Sequence, residues 1–129
     1  MKKYIVLFLS LVCLFTLCSC GKTAAPIVLP EPEKIVSIDV TNGKTTKTYT
    51  DSTWIQEIIS AISDSEPTSK QSVQDTPQNK SYIKIDFQFE AGASTLFVYE
   101  DSGKYYVEQP YQGIYIISSD LFEKIKEAP

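Results

Sequence analysis

The densest run of chemically useful side chains is Tyr105-Tyr106-Val107-Glu108-Gln109-Pro110-Tyr111-Gln112-Gly113-Ile114-Tyr115. It places four tyrosines, a carboxylate and two amides within eleven residues. Tyrosine supplies a large contact area, a hydroxyl and little rotamer loss, which suits recognition surfaces. On an extended strand Tyr105 and Val107 share one face, and Tyr106 and Glu108 share the other. Pro110 and Gly113 shape a stiff corner that presents Tyr111, which is expected to be exposed. Tyr106, Glu108, Tyr111 and Tyr115 are therefore the candidate binding residues, expected on one side of the molecule. A plainer reading stands beside this one. Aromatic residues favour strands and pack across them, so sheet placement alone accounts for most of these tyrosines.

The rest of the chain is poor in reactive groups. It has no histidine, and all twelve basic residues are lysine. Histidine would be the ready proton shuttle at neutral pH and an imidazole metal ligand. Arginine would be the bidentate fork for phosphate or carboxylate. Carboxylates occur in near pairs, Glu100-Asp101 and Asp64 with Glu66. A glycosidase needs two held at a set separation across a cleft, and no spacing in the sequence gives that. Asp101-Ser102-Gly103 reads as a turn, with too few oxygens for a calcium loop. There is no glycine-rich phosphate loop and no metal-spaced cluster, while a Ser-Lys dyad stays open. The expectation is a protein that is not an enzyme, with no catalytic residue, no cofactor and no metal. Its net charge of −4 makes it a poor partner for nucleic acid.

An address precedes the domain. Lys2 and Lys3 form a positive start, and Tyr4 to Leu17 is a nearly unbroken apolar run. A secretory signal has this order, with an apolar centre of about 7–15 residues and a small-residue cleavage site. The run falls short of the roughly 20 residues needed to span a bilayer. Leu17-Cys18-Ser19-Cys20 matches a bacterial lipobox, with Ser19 before the cut and Cys20 as the lipidated residue. Cys13 and Cys18 fit less well, because Val12 and Leu17 would take the small-residue position. A diacylglyceryl group on Cys20 gives two acyl chains, each buried CH₂ being worth about 0.8 kcal/mol, so anchoring is firm. The expected location is the extracellular face of the cell membrane. The alternative is ordinary secretion or an uncleaved anchor. No cysteine follows Cys20, so the domain must hold together by its core alone.

The elements that position the tyrosines follow from periodicity. Residues 1–19 are the signal and residues 20–33 a proline-containing tether. Residues 34–129 are expected to be a single domain. Ile27, Val28 and Leu29 interrupt the tether and suit contact with the membrane or the domain. Val36, Ile38 and Val40 alternate with polar residues, and Asn42-Gly43 signals a hairpin into a Thr-rich strand. Asp51 or Ser52 caps a helix whose stripe is Ile55, Ile58, Ile59 and Ile62. Asp64 to Lys80 is polar, holds Pro67 and Pro77, and reads as a long loop. Tyr82 to Glu90, Thr95 to Glu100 and Lys104 to Gln109 form a meander. Ile114 to Ile117 is a short extended run, and Ser119 or Asp120 caps a last helix with Leu121, Phe122 and Ile125. The predicted fold is α+β: an antiparallel sheet of about five strands, one main helix packed on it and a short C-terminal helix.

With these residues in view, the chain resembles a family of small Firmicutes lipoproteins that share a domain of unknown function. The likeness lies in the segment from Tyr105 to Tyr115, in Lys70-Gln71-Ser72-Val73-Gln74-Asp75-Thr76-Pro77 and in Tyr82-Ile83-Lys84-Ile85-Asp86-Phe87. It covers about Ile35 to Ile125. The resemblance implies company with membrane sensors that respond to cell-wall antibiotics, and it supplies no catalytic residues. It also implies that the 70–77 stretch packs against the tyrosine corner. The functional expectation is a surface lipoprotein, bound to the membrane through Cys20, whose domain engages an envelope protein or peptide. A cell-wall hydrolase or transferase using carboxylates, and a small-ligand carrier, are the alternatives.

Overall fold

The computed structural model describes residues 24–127. The expected signal segment and Cys20 lie outside them. A 3-10 turn at Pro32–Lys34 leads into strand β1 (Ile35–Asn42), followed by β2 (Thr45–Tyr49) and helix α1 (Ser52–Ser63). Then come β3 (Glu66–Pro67), β4 (Ile83–Phe89), β5 (Gly92–Asp101), β6 (Lys104–Gln109), β7 (Gly113–Ile117) and helix α2 (Ser119–Lys126). The sheet has seven strands in the order β2-β1-β4-β5-β6-β7-β3, with antiparallel neighbours throughout.

The α+β class with an antiparallel sheet and two helices agrees with the sequence; the strand count of about five does not. Two elements make up the difference. The run after Pro110 joins the sheet as β7, and two residues of the polar loop, Glu66 and Pro67, pair with Ile116 and Tyr115 as β3. A two-residue strand containing proline carries no periodicity to read. The main helix is also short, at 12 residues.

Local signals decide the ends of the elements. Asp51 caps α1 by accepting a hydrogen bond from the Thr53 N–H at 2.9 Å. The cap of α2 is Ser118, one residue before the expected position, and it accepts from the Leu121 N–H at 3.1 Å. Asn42 pairs with Thr45, so the first turn is Gly43-Lys44, and only its glycine has positive φ. The double positive φ of a type I′ turn falls instead on Ser102-Gly103, between the paired Asp101 and Lys104.

Both helices bury their apolar stripes on one face of the sheet. Ile55, Ile58, Ile59 and Ile62 of α1 and Leu121, Phe122 and Ile125 of α2 meet Ile38, Val40, Ile85, Phe87, Leu96, Val98, Val107 and Tyr115. The chain order has one consequence for the other face. The chain leaves α1 at the far edge, where β3 flanks β7, yet β4 must enter beside β1. Residues 68–82 therefore return across the sheet, over the face that the helices leave open. Their contacts mark the route: Lys70 lies over Tyr106 of β6, and Tyr82 meets Phe97 of β5 edge-on.

Candidate functional site

Register puts the site together. Tyr99 of β5 pairs with Tyr106 of β6, Phe97 with Glu108, and Glu108 in turn with Ile114 of β7. These side chains point away from the helices. So apolar a face is stable only when covered, and the 68–82 segment covers it. The Lys70 ammonium lies 5.2 Å from the centroid of the Tyr106 ring, within cation–π range. The Tyr99 and Tyr106 rings are tilted neighbours 5.8 Å apart. Ser72 and Pro77 are buried in the cover. The Tyr111 hydroxyl donates to Asp75 Oδ1 at 2.6 Å and pins its tip.

Glu108 sits beneath this cover, 2% exposed. Tyr99 Oη donates to Glu108 Oε1 at 3.2 Å. Glu108 Oε2 and the nearby Ser72 Oγ are both buried without a hydrogen-bond partner among the described residues. Ser72 is close enough to favour the carboxylate charge but does not meet it in hydrogen-bonding geometry. Burial pushes the Glu108 carboxyl above its ordinary range, against the opposing pull of Tyr99 and Ser72. Burial, followed by the charge of Glu108, raises the Tyr99 hydroxyl as well. A cleft of about 430 Å³ opens above, lined by Lys70, Gln74, Asn79, Tyr99, Asp101 and Glu108. When charged, Glu108 would seat a cation; when protonated, it would donate a hydrogen bond. Among the described residues no three His, Cys, Asp or Glu side chains converge as a metal site requires.

The four candidate tyrosine-corner residues do not share one side. Tyr106 and Glu108 stand together on the covered face. Tyr115 is on the helix face, fully buried, and opposite Val107. Its hydroxyl donates to the Ala25 carbonyl. The reason is parity: Gln109 and Gly113 pair across a three-residue turn, which puts Tyr115 in phase with Val107 rather than with Glu108. Tyr111 is exposed, as its corner position predicts, at 67%. Its φ of 61° is uncommon for a bulky residue. Tyr99, Lys70 and Asp101 were absent from the sequence-based site. Tyr99 was within reach of sequence, because a two-residue turn at Ser102-Gly103 pairs it with Tyr106. Nothing local marks Lys70.

The segment before β1 is extended, as its prolines favour, and lies on the domain. The Ala24 N–H donates to the Thr68 carbonyl at 3.0 Å. Val28 and the Gln109 side chain exchange two hydrogen bonds, at 3.0 and 2.6 Å. The Gln112 amide donates to the Pro26 carbonyl at 3.3 Å. Ala24, Ile27 and Leu29 pack against the core.

The DUF5301 family model, described as a domain of unknown function (DUF5300), matches residues 23–116. The chain belongs to that family. The matched span takes in the strap at residues 24–30, the cover, strands β1 to β6 and all but the last residue of β7, and leaves out α2. The NMR structure of a protein from Ruminococcus gnavus is similar, with a TM-score of 0.64 and 38% identity. That match covers 78% of this chain and 99% of the other. No curated protein matches.

Proposed function

We propose that this chain is a lipid-anchored, non-catalytic binding module of the cell envelope, and that its partner enters the cleft above Glu108. The observation that carries the reading is a glutamate only 2% exposed with one carboxyl oxygen left unpartnered among the described residues, beside another orphan at Ser72. An unsatisfied buried polar group costs about 1–3 kcal/mol, and such groups persist where they have a use. The chemistry of the cleft selects the partner. Two carboxylates, the Tyr99 ring and several side-chain amides, with Lys70 as the one cation among the lining residues, favour a group bearing positive charge and N–H donors. An exposed ammonium of an envelope peptide or protein fits this description. Lys70 already rests an ammonium on Tyr106, and a partner's amine would take over that seat. Bound in this way, the module would tune a response to envelope stress.

The test is crosslinking and recovery of partners from intact cells, comparing wild type with Glu108→Gln, folding being checked by thermal denaturation. Loss of one partner in a folded Glu108→Gln chain is expected; equal recovery of every partner removes the cleft from the reading. Globomycin, which blocks the lipoprotein signal peptidase, should leave unprocessed precursor, and normal processing under the drug would exclude the anchor. A hydrolase reading draws on the same raised carboxyl, with Asp101 in the cleft as a second carboxylate. Turnover of cell-wall material by the wild-type chain, abolished in Glu108→Gln, would favour it.

A further inference from the structure

We propose that the β6–β7 turn is a membrane-facing foot: Tyr111, Val73 and Val28 rest on the lipid surface and hold the domain end-on to the bilayer. This rests on the reading of Cys20 as the lipidated residue.

The length of chain between anchor and body argues for contact. Cys20 and Ala24 are four residues apart, and an extended chain covers at most ~3.6 Å per residue, so the leash is no longer than ~14 Å. Ala24 is fixed to the body by its bond to the Thr68 carbonyl and by packing against Gly113, at the start of β7. The segment after it runs along the same turn through its bonds to Gln109, Gln112 and Tyr115. Residues that would serve as a spacer are thus spent as a strap. A lipid on Cys20 brings this end of the sheet to the bilayer and leaves no room for the domain to swing clear.

The surface there suits the contact. Val28, Val73 and Tyr111 are 62%, 69% and 67% exposed, the largest exposures among the large hydrophobic side chains of the described residues together with Val36 at 64%. Val73 and Tyr111 line one shallow depression with Ala24 itself, and Val28 is bonded to Gln109 at the root of the turn. Val36 belongs to the same end, because its neighbour Ile35 pairs with Phe89, which pairs with Gly92. The opposite end carries the polar turns Gly43-Lys44 and Ser102-Gly103. Tyrosine favours the headgroup layer, with its ring in the apolar zone and its hydroxyl held by a polar group, as Tyr111 is held by Asp75. The protein's negative charge gives no general attraction to an anionic membrane, so the contact depends on this small apolar foot.

The test uses the full chain, processed and lipidated in cells, purified in detergent and reconstituted into phosphatidylcholine vesicles. Cys13 and Cys18 leave with the signal and Cys20 is blocked by lipid, so one introduced cysteine is the sole free thiol. Val73→Cys and, at the opposite end, Lys44→Cys each carry an environment-sensitive fluorophore. A phosphatidylcholine with a nitroxide headgroup is the quencher. Several-fold stronger quenching at position 73 than at position 44 is expected. Equal quenching at the two positions, with the protein still on the vesicles, overturns the orientation and leaves the anchor standing. Failure of the protein to stay on the vesicles overturns both.

Discussion

Replacing Glu108 by glutamine should stabilise the protein at neutral pH, and increasingly so as pH rises. Three effects compete at this carboxyl. Burial disfavours its charge, while the Tyr99 hydrogen bond and nearby Ser72 favour it. The net shift is upward, so burial wins. For an acid whose folded pKa lies above its unfolded value, the native state binds more protons, and stability falls as pH rises between the two. The contribution is fully present below about 4.5, the ordinary value, and is lost as pH rises through the folded pKa. Glutamine removes this loss. Its oxygen can keep the bond from Tyr99, and its amide N–H can reach toward Ser72 Oγ, pairing two groups that are now unpartnered. Relief of one unsatisfied buried group is worth about 1–3 kcal/mol. For a domain of this size each kcal/mol moves Tm by roughly 4–8 °C. Thermal and urea denaturation of both proteins from pH 4 to pH 8 would show the gap opening with pH. A Glu108→Gln protein that melts below wild type at neutral pH, or a gap flat across the range, would refute burial as the dominant effect.

Three further outcomes follow from the packing. Gly113→Ala puts a Cβ 2.5 Å from that of Ala24; this should cost about 1–3 kcal/mol as overpacking. Limited proteolysis should then cut residues 24–30 faster, and unchanged protection would show that the strap is not held there. Ile62→Ala removes a fully buried side chain of α1, with an expected loss of about 2–5 kcal/mol in urea denaturation. Lys70→Ala deletes the cation over Tyr106; global stability should fall by about 0.5–1 kcal/mol, while hydrogen exchange in residues 70–79 accelerates more than elsewhere.

Much of the fold was legible because it rests on local rules. The isoleucine stripe of α1, the alternation of β1 and β4 and the meander from β4 to β6 are periodic signals, and each appears where periodicity puts it. The elements that escaped lack such a signal. β3 is two residues long, and its pairing with β7 is set by a chain crossing from one edge of the sheet to the other. The loop over residues 68–82 has polar composition, yet it covers a sheet face, because Ser72 and Pro77 become buried and Lys70 finds the Tyr106 ring only after the sheet has formed. The site shows the same division. Tyr106 and Glu108 share a face by simple alternation, and Tyr111 stands out at its corner. Tyr115 falls on the opposite face because the length of the β6–β7 turn sets its phase.

The sequence by itself determined the helices, the meander and the alternation that turns Glu108 away from the helix face, since these depend on neighbours a few residues apart. Tertiary structure alone decided that Glu108 would be buried and half-partnered, that Lys70 would lie over Tyr106, and that residues 24–30 would lie on the domain rather than hang free. Those outcomes depend on groups that are 36 to 90 residues apart in the chain, and no local pattern records which distant surface a segment will meet.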